Sequence, residues 1–335
     1  MNERVVIQKP GGLDQIAVVE EPEPEPRHGE VKVRIQAAGV AFTDILFRHG
    51  IGVRASAFPF TPGWDFVGVI EKAGPGTTKY AVGDRVAGAP IRGGNQRFIC
   101  ALENELFSIP PDVSPVDVSG LLLNYTTAYQ LLSRVVHAKR GDAVLMHGAA
   151  GGVGTAMLQI ARLIGVKVYG TVSTGKVDVV QQMGGIPIDY TRTDFVRELH
   201  ALEPRGVSAV FDPIGAGHLR RSYRVLAEHG TLAVFGVSSA VYLGRNPTLG
   251  LAETMINFIM LRLRPGSKRV VTRSIDIAKR KRPDEFRQDV HTLLSMLQQG
   301  VIAPQIADVL PLRDARHAHE LLEGRRVVGK IVLQP

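Results

Sequence analysis

The sequence holds one cysteine, Cys100, among 335 residues. A single thiol excludes an intrachain disulfide and any cysteine-rich zinc site. Uncharged apolar runs long enough to span a membrane are also missing. The most apolar candidate is broken by His147, Gln159, Arg162 and Lys167. The opening Met1-Asn-Glu-Arg-Val-Val-Ile lacks the basic-then-apolar layout of a signal peptide. No internal repeat and no disordered tail are visible. These absences lead to the expectation of a soluble, cytoplasmic protein with no membrane span.

What is present fits that expectation. Hydrophobic residues make up 44%, an ordinary globular value, and the length is enough for two domains. The net charge of +8 is concentrated in one place. Arg262 to Arg282 carries nine lysines and arginines against one acid, Asp276, and so accounts for the whole excess. Such a segment reads either as a patch for phosphates or as a solvated loop and helix face. The second reading is favoured, because no nucleic-acid motif and no interleaved aromatics accompany it.

The most informative stretch is Leu145-Met-His-Gly-Ala-Ala-Gly-Gly-Val-Gly-Thr155. Asp142-Ala-Val-Leu-Met146 before it reads as a buried strand. Ala156 to Ile164 after it has helical spacing, with Gly165 as a stop. Val166 to Val172 reads as a second strand. Ala149-x-Gly151-x-x-Gly154 therefore lies at a strand-to-helix turn inside a βαβ unit. There, backbone N–H groups and a helix N-terminus hold a dinucleotide pyrophosphate.

Around it the chain changes texture twice. Residues 1–35 suggest a hairpin, Arg4–Gln8 with Ile16–Val19, then the stiff Glu20-Glu-Pro-Glu-Pro-Glu-Pro26. Strand-like runs follow at 30–37, 65–72, 85–88 and 96–100, separated by glycine turns. From Pro110-Pro111 helical periodicity appears over Val118 to Leu132. Strands at 143–147, 166–172, 186–189, 209–212 and 231–236 then alternate with helices such as Phe195–Leu202 and His218–Leu226, which predicts a parallel sheet covered on both faces. After about residue 265 the alternation stops. A helix is expected over Asp284–Gln299, another ending near Gly324, and a last strand over Val327–Leu333.

This layout resembles the medium-chain dehydrogenase/reductase superfamily, and within it the zinc-free quinone oxidoreductase branch. The matching residues are Ala38-Gly-Val with Asp44 and Arg48-x-Gly50, and Pro62-Gly-Trp-Asp65 followed by Gly68-x-Ile70. Gly83-Asp-Arg-Val86, Ala149 to Gly154 and Val328 to Leu333 complete the set. The tail helices and basic segment also resemble the vesicle amine transport protein subgroup. The resemblance implies an α/β fold with a GroES-like β-rich catalytic domain and a Rossmann-type, doubly wound parallel-sheet domain. It places the first at 1–122 and 266–335 and the NADPH-binding domain at 123–265, and implies a homodimer.

Zinc-dependent relatives carry a cysteine after the Gly-Val motif and a Gly-His-Glu after the proline-rich loop. Here those places read Gly39-Val-Ala-Phe-Thr-Asp44 and Gly63-Trp-Asp65, which offer no cysteine and no histidine. No metal site is therefore expected, and a zinc alcohol dehydrogenase is excluded. For the cofactor, NAD-specific folds place an acid about 20 residues past the glycines. Gly170-Thr-Val-Ser-Thr-Gly-Lys176 has none, only hydroxyls and a lysine, groups that suit a 2′-phosphate. In the resembling family a lysine and a tyrosine bind that phosphate, and Lys176 and Tyr190 match them.

The cofactor set so implied is Ala150, Gly151, Gly152, Val153, Gly154, Ser173, Lys176 and Tyr190, for NADPH. Thr127, Gly236, Ser238, Gly329 and Lys330 are implied at the nicotinamide. Thr127 could equally bond back to its own helix turn, and Lys330 could be a surface strand residue.

The proton donor is not identified. Relatives carry an asparagine and a tyrosine where this chain has Ala41 and Ile51-Gly52, which suggests a more apolar pocket. Asp44, Arg48, Tyr125 and Thr127 remain as pocket candidates. Asp44 and Arg48, four apart on a predicted helix, read better as a structural ion pair. Tyr125 reads also as a packing residue, His49 and His147 as surface or turn residues, and Trp64 as core or pocket wall. The expected activity is hydride transfer to a quinone or an α,β-unsaturated carbonyl. An acyl-thioester enoyl reductase and a non-enzymatic NADPH-binding protein are the alternatives.

Overall fold

The computed structural model describes residues 1–52, 57–242 and 247–335. The chain forms two units, Met1–Asn124 with Val290–Pro335, and Tyr125–Asp289. Among the described residues, no helix is long and apolar enough to cross a membrane.

The first unit is β-rich, as the alternating runs predict. Asn2–Ile7 and Ile16–Glu21 pair antiparallel in full register. A second sheet of seven strands runs in the order Ile306–Pro311, Lys330–Gln334, Glu30–Val40, Phe66–Ala73, Arg85–Gly88, Phe107–Ser108, with Phe98–Leu102 also on Glu30–Val40. Glu30–Val40 is central because its period of two buries one side: Val31, Val33 and Ile35 join Phe66, Ile70, Val86, Ile99 and Leu106 in one core. The proline-rich connector supplies surface counter-charges. Glu23 meets the largely buried Lys32 at 2.9 Å, and Glu25 meets Lys72.

The second unit is a sheet of six parallel strands. Their order is Ile186–Asp189, Lys167–Val172, Ala143–His147, Val207–Asp212, Leu226–Val234, Arg269–Thr272. Counted within the unit this is 3-2-1-4-5-6, the doubly wound arrangement, with the winding reversing between Ala143–His147 and Val207–Asp212. Right-handed crossovers on either side of that reversal put helices on opposite faces. Leu145, Val210 and Leu232 pack with Phe195, Leu199, Leu219 and Tyr223 of the covering helices.

The strand Ile306–Pro311 has no counterpart in the sequence reading, and two further features depart from it. The helix expected over Val118–Leu132 is cut into Pro115–Leu122 and Asn124–Gln130, followed by a wider turn at Leu131–Val135. The strand Arg269–Thr272 lies inside the basic segment and beyond residue 265, where the sequence reading ends the dinucleotide-binding domain. Its only apolar residues are Val270 and Val271, too short a run to stand out among arginines. Several cations of the segment have partners. Arg273 donates to the Gln130 side-chain Oε1 at 2.8 Å, Arg280 pairs with Asp276 and Arg282 with Glu285. The reading of a folded, solvated face is the better of the two.

The helix Ala315–Glu323 holds a costly group. His319 is fully buried and neither ring nitrogen has a hydrogen-bond partner among the described residues. Burial, then the Arg48 charge, pushes its pKa down to about 3. The unfolded ring binds its proton more tightly, so this group withdraws stability as pH falls through the range between the unfolded and folded values. His319→Leu should therefore lose about 2–3 kcal/mol less than the parent between neutral pH and about pH 4.5. Urea unfolding at the two pH values reads this difference, and identical losses in both proteins would rule it out.

Candidate functional site

The glycine turn follows directly from the strand Ala143–His147. Gly148 takes φ +69°, and the helix Gly152–Ile164 begins three residues after Ala149. A Cβ on Gly154 would fall 2.4 Å from the Ala149 carbonyl oxygen, so only glycine lets helix and turn approach this closely. No side chain caps the helix and its first turn has no acid. The N-terminus is thus positive and left to an anion. Ala150, Gly151, Gly152, Val153 and Gly154 all lie on this turn, at the carboxyl end of the sheet and beside the reversal of winding, where open α/β sheets bind ligands.

The neighbouring strands bring the expected 2′-phosphate groups together. Lys167–Val172 ends at Ser173, and a 3₁₀ turn over Thr174–Lys176 opens the next helix. The Tyr190 N–H donates to the Val172 carbonyl at 3.1 Å, which seats the tyrosine beside that loop, half-exposed. Ser173 and Lys176 are partly exposed there. Asp189 was not singled out from the sequence. Its carboxylate accepts from the Thr174 and Thr191 hydroxyls, both at 2.6 Å, and those bonds hold its pKa below the usual carboxylate range. It fixes the loop that carries Ser173 and Lys176.

Gly236 and Ser238 lie after the strand Leu226–Val234. The Ser238 N–H donates to the Pro213 carbonyl at 2.9 Å, and a Cβ on Gly236 would sit 2.7 Å from the same oxygen. Both residues therefore stand at the carboxyl end of the sheet with the glycine turn. Tyr125 is almost wholly buried and Thr127 has 9% exposure, on the helix Asn124–Gln130.

His147 is the main correction in this unit. It is fully buried, at the last position of its strand, and not a surface or turn residue. Its Nδ1 lies 3.0 Å from the Thr171 hydroxyl and its Nε2 3.1 Å from the Ser222 hydroxyl. Ser222 donates to Asp212 Oδ2 at 2.6 Å, and His218 Nδ1 meets the same oxygen at 2.9 Å. Burial, then the His218 charge, pushes His147 down to about 3, so it is a neutral ring. Burial alone would raise the Asp212 carboxyl, but the His218 hydrogen bond and charge outweigh it and hold it well below the usual range. The sequence gives no hint of this cluster, because its members come from two strands and a helix without a common motif.

In the first unit the expected pocket residues turn inward. Asp44 is fully buried and does not pair with Arg48. Its oxygens accept the Ala41 N–H at 2.8 Å and the Gly63 N–H at 3.0 Å. One oxygen closes the start of its helix through the Ala41 N–H, and the other ties the Gly63 backbone to it. Burial, offset by those backbone bonds, pushes Asp44 up to about 6. Arg48, also fully buried, instead reaches Glu323 at 2.5 Å and the Gly11 carbonyl at 3.2 Å; His49 shares Glu323.

Lys330 is not a surface residue. Its ammonium is buried against Asp65 at 3.0 Å. Asp65 also accepts the Gly39 N–H at 2.9 Å and the Ser119 hydroxyl at 2.8 Å. Gly329 takes φ +85°, and a Cβ there would fall 2.1 Å from the Gln305 carbonyl oxygen. Trp64, Ala41 and Ile51 are buried.

Comparison with known proteins finds relatives along both units. Residues 27–129 match the alcohol dehydrogenase GroES-like domain and residues 185–333 the zinc-binding dehydrogenase family. The 2-haloacrylate reductase of a Burkholderia species is 32% identical over 98% of both chains. The synaptic vesicle membrane protein VAT-1 homolog of Rattus norvegicus is 31% identical over 97% of this chain and 82% of its own. Among solved structures, Escherichia coli quinone oxidoreductase in complex with NADPH superposes with a TM-score of 0.88. It is 28% identical and covers 99% of this chain and 100% of its own.

Proposed function

The chain belongs to the zinc-free quinone oxidoreductase branch of the medium-chain dehydrogenase/reductase superfamily, and from that premise we propose that it reduces quinones or α,β-unsaturated carbonyl compounds with NADPH. That it is an oxidoreductase of this branch follows from its relatives; the acceptor class is our reading. The observation that carries it is the chemistry at residues 41 and 63–65. Where zinc-dependent relatives hold a Lewis acid, this chain has Ala41 and a buried Asp65–Lys330 pair. An acceptor here must already be electron-poor, as a quinone or an enone is.

NADPH, when bound, supplies the hydride. The N–H groups of the 150–154 turn hold its pyrophosphate. Ser173, Lys176 and Tyr190 hold the 2′-phosphate, with Thr174 and Asp189 fixing their loop. Gly236, Ser238 and Thr127 border the nicotinamide. The enone takes the hydride at its β-carbon and a proton from water at its α-carbon. Placement of the reactants is the chain's main contribution.

A panel of acceptors run with NADPH tests this reading: a benzoquinone, a cyclic enone, a saturated aldehyde and an enoyl thioester of coenzyme A. NADPH should be consumed with the first two. Faster turnover of the thioester would assign the acyl-thioester reading, and tight NADPH binding with no turnover would make the protein a non-enzymatic binder.

We also propose a homodimer. The helix Pro247–Arg262 leaves Leu249, Met255, Ile256, Ile259 and Met260 47–62% exposed, and Leu263 follows at 76%. An apolar face of this size on a monomer is unusual. Beside it, Arg269–Thr272 is the open edge of its sheet. Sedimentation should show a dimer that Ile256→Glu with Ile259→Glu splits into monomers; a monomeric parent protein would refute the interface.

A further inference from the structure

The reversal point of the parallel sheet carries more donor groups than a dinucleotide turn needs. His147 and Asp212 end the two strands on either side of it, and His218 opens the helix His218–Arg224. Each offers one ligand atom, and these atoms all lie within 4.8 Å of one another. We propose that these three side chains form a site for a divalent transition metal of the zinc class, with the Ser222 hydroxyl at the fourth position.

Two imidazoles and one carboxylate are a donor set that suits zinc, cobalt or nickel, and not magnesium or calcium. The Ser222 oxygen stands 3.1 Å from His147 Nε2, 2.6 Å from Asp212 Oδ2 and 3.4 Å from His218 Nδ1. His218 Nδ1 is 2.9 Å from Asp212 Oδ2. Four ligands at about 2.0 Å from a tetrahedral ion are about 3.3 Å apart. The four edges given are therefore within about 0.7 Å of that spacing already, and no other among the three ligand atoms need close by more than about 1.5 Å.

His218 can supply this movement. It is the first residue of its helix and the only one of the three that solvent reaches, with 19% side-chain exposure. His147 and Asp212 are fully buried and fixed.

The groups behind the ligands also fit. Metal-bound histidines donate through their other nitrogen, and His147 Nδ1 faces the Thr171 hydroxyl at 3.0 Å. Asp212 Oδ1 accepts the N–H groups of Ile214 at 2.7 Å and Gly215 at 3.0 Å, which leaves Oδ2 to the ion. Loading needs no redox step. Each imidazole presents a bare nitrogen to the ion and keeps its proton on the other. In the metal-free protein the same atoms form the hydrogen-bonded chain described above. The site would tie two strands and a helix together beneath the glycine turn. It is unrelated to positions 41 and 63–65, which belong to the other unit.

Tag-free protein stripped with EDTA, equilibrated with Zn²⁺ and desalted, should retain one equivalent. His218→Ala should retain less than about a tenth of that, with its fold in EDTA checked by circular dichroism. His218→Gln serves as a second variant should the alanine protein fail to fold. Co²⁺ in place of zinc should give the intense visible band of a tetrahedral site in the parent protein only. A parent protein that retains no zinc, or equal retention in the His218 variants, would overturn the proposal and leave the cluster as a hydrogen-bonded brace.

Discussion

Lys176→Ala is expected to weaken NADPH binding about 30-fold while changing NADH binding less than about twofold. The lysine sits in the 3₁₀ turn that follows the strand Lys167–Val172, its N–H on the Ser173 carbonyl, and Tyr190 bonds to the end of the same strand at Val172. A hydrogen bond between an ammonium and a phosphate is worth about 2 kcal/mol when partly screened, and each 1.4 kcal/mol is tenfold. NADH has a hydroxyl where NADPH has that phosphate, so it loses almost nothing. Tyr190→Phe removes a single neutral donor and should cost NADPH only about threefold. Lys176→Arg keeps the charge and should keep the preference. Fluorescence titration of the reduced cofactors measures all of these. Equal weakening of both by Lys176→Ala would mean that the lysine supports the loop and does not read the phosphate.

Such a prediction was possible from the sequence because the residues concerned are local. The turn at 148–154, its strand and its helix are consecutive, and glycine is required by close approach within the turn itself. Ser173 and Lys176 follow one strand, and Tyr190 the next. Periodicity found most strands of both units to within a few residues for the same reason, but not Phe107–Ser108 or Ile306–Pro311. What stayed hidden depends on contacts between distant segments. The His147–Ser222–Asp212–His218 cluster joins residues up to 75 apart, and Arg48 finds Glu323 at a separation of 275. Helical spacing favoured Asp44 with Arg48, but spacing cannot see that two backbone N–H groups already claim the aspartate. The strand Arg269–Thr272 was concealed differently, because its two apolar residues are surrounded by cations that suit a solvated surface.

Lys330 is the residue whose role changed most, and removing its charge should have the largest effect on stability. Lys330→Met is expected to destabilise the first unit by about 3–5 kcal/mol, since it leaves the Asp65 carboxylate buried without its counter-ion. Asp65→Asn should cost a similar amount by stranding the ammonium. The double variant should recover about 2–3 kcal/mol of the summed loss, because the asparagine oxygen still accepts the Gly39 N–H and no buried charge remains. There is no slack to absorb either single change: a Cβ on Gly39 would fall 2.2 Å from Lys330 Cε and 2.6 Å from Asp65 Oδ1. Denaturant unfolding of the four proteins gives the coupling. Cofactor titration separates this role from the one implied by family resemblance. A lysine that contacts the nicotinamide would lose NADPH affinity on substitution while the protein stayed stable. A lysine that neutralises Asp65 would unfold the unit first, and additive single and double losses would show that the two side chains do not depend on each other.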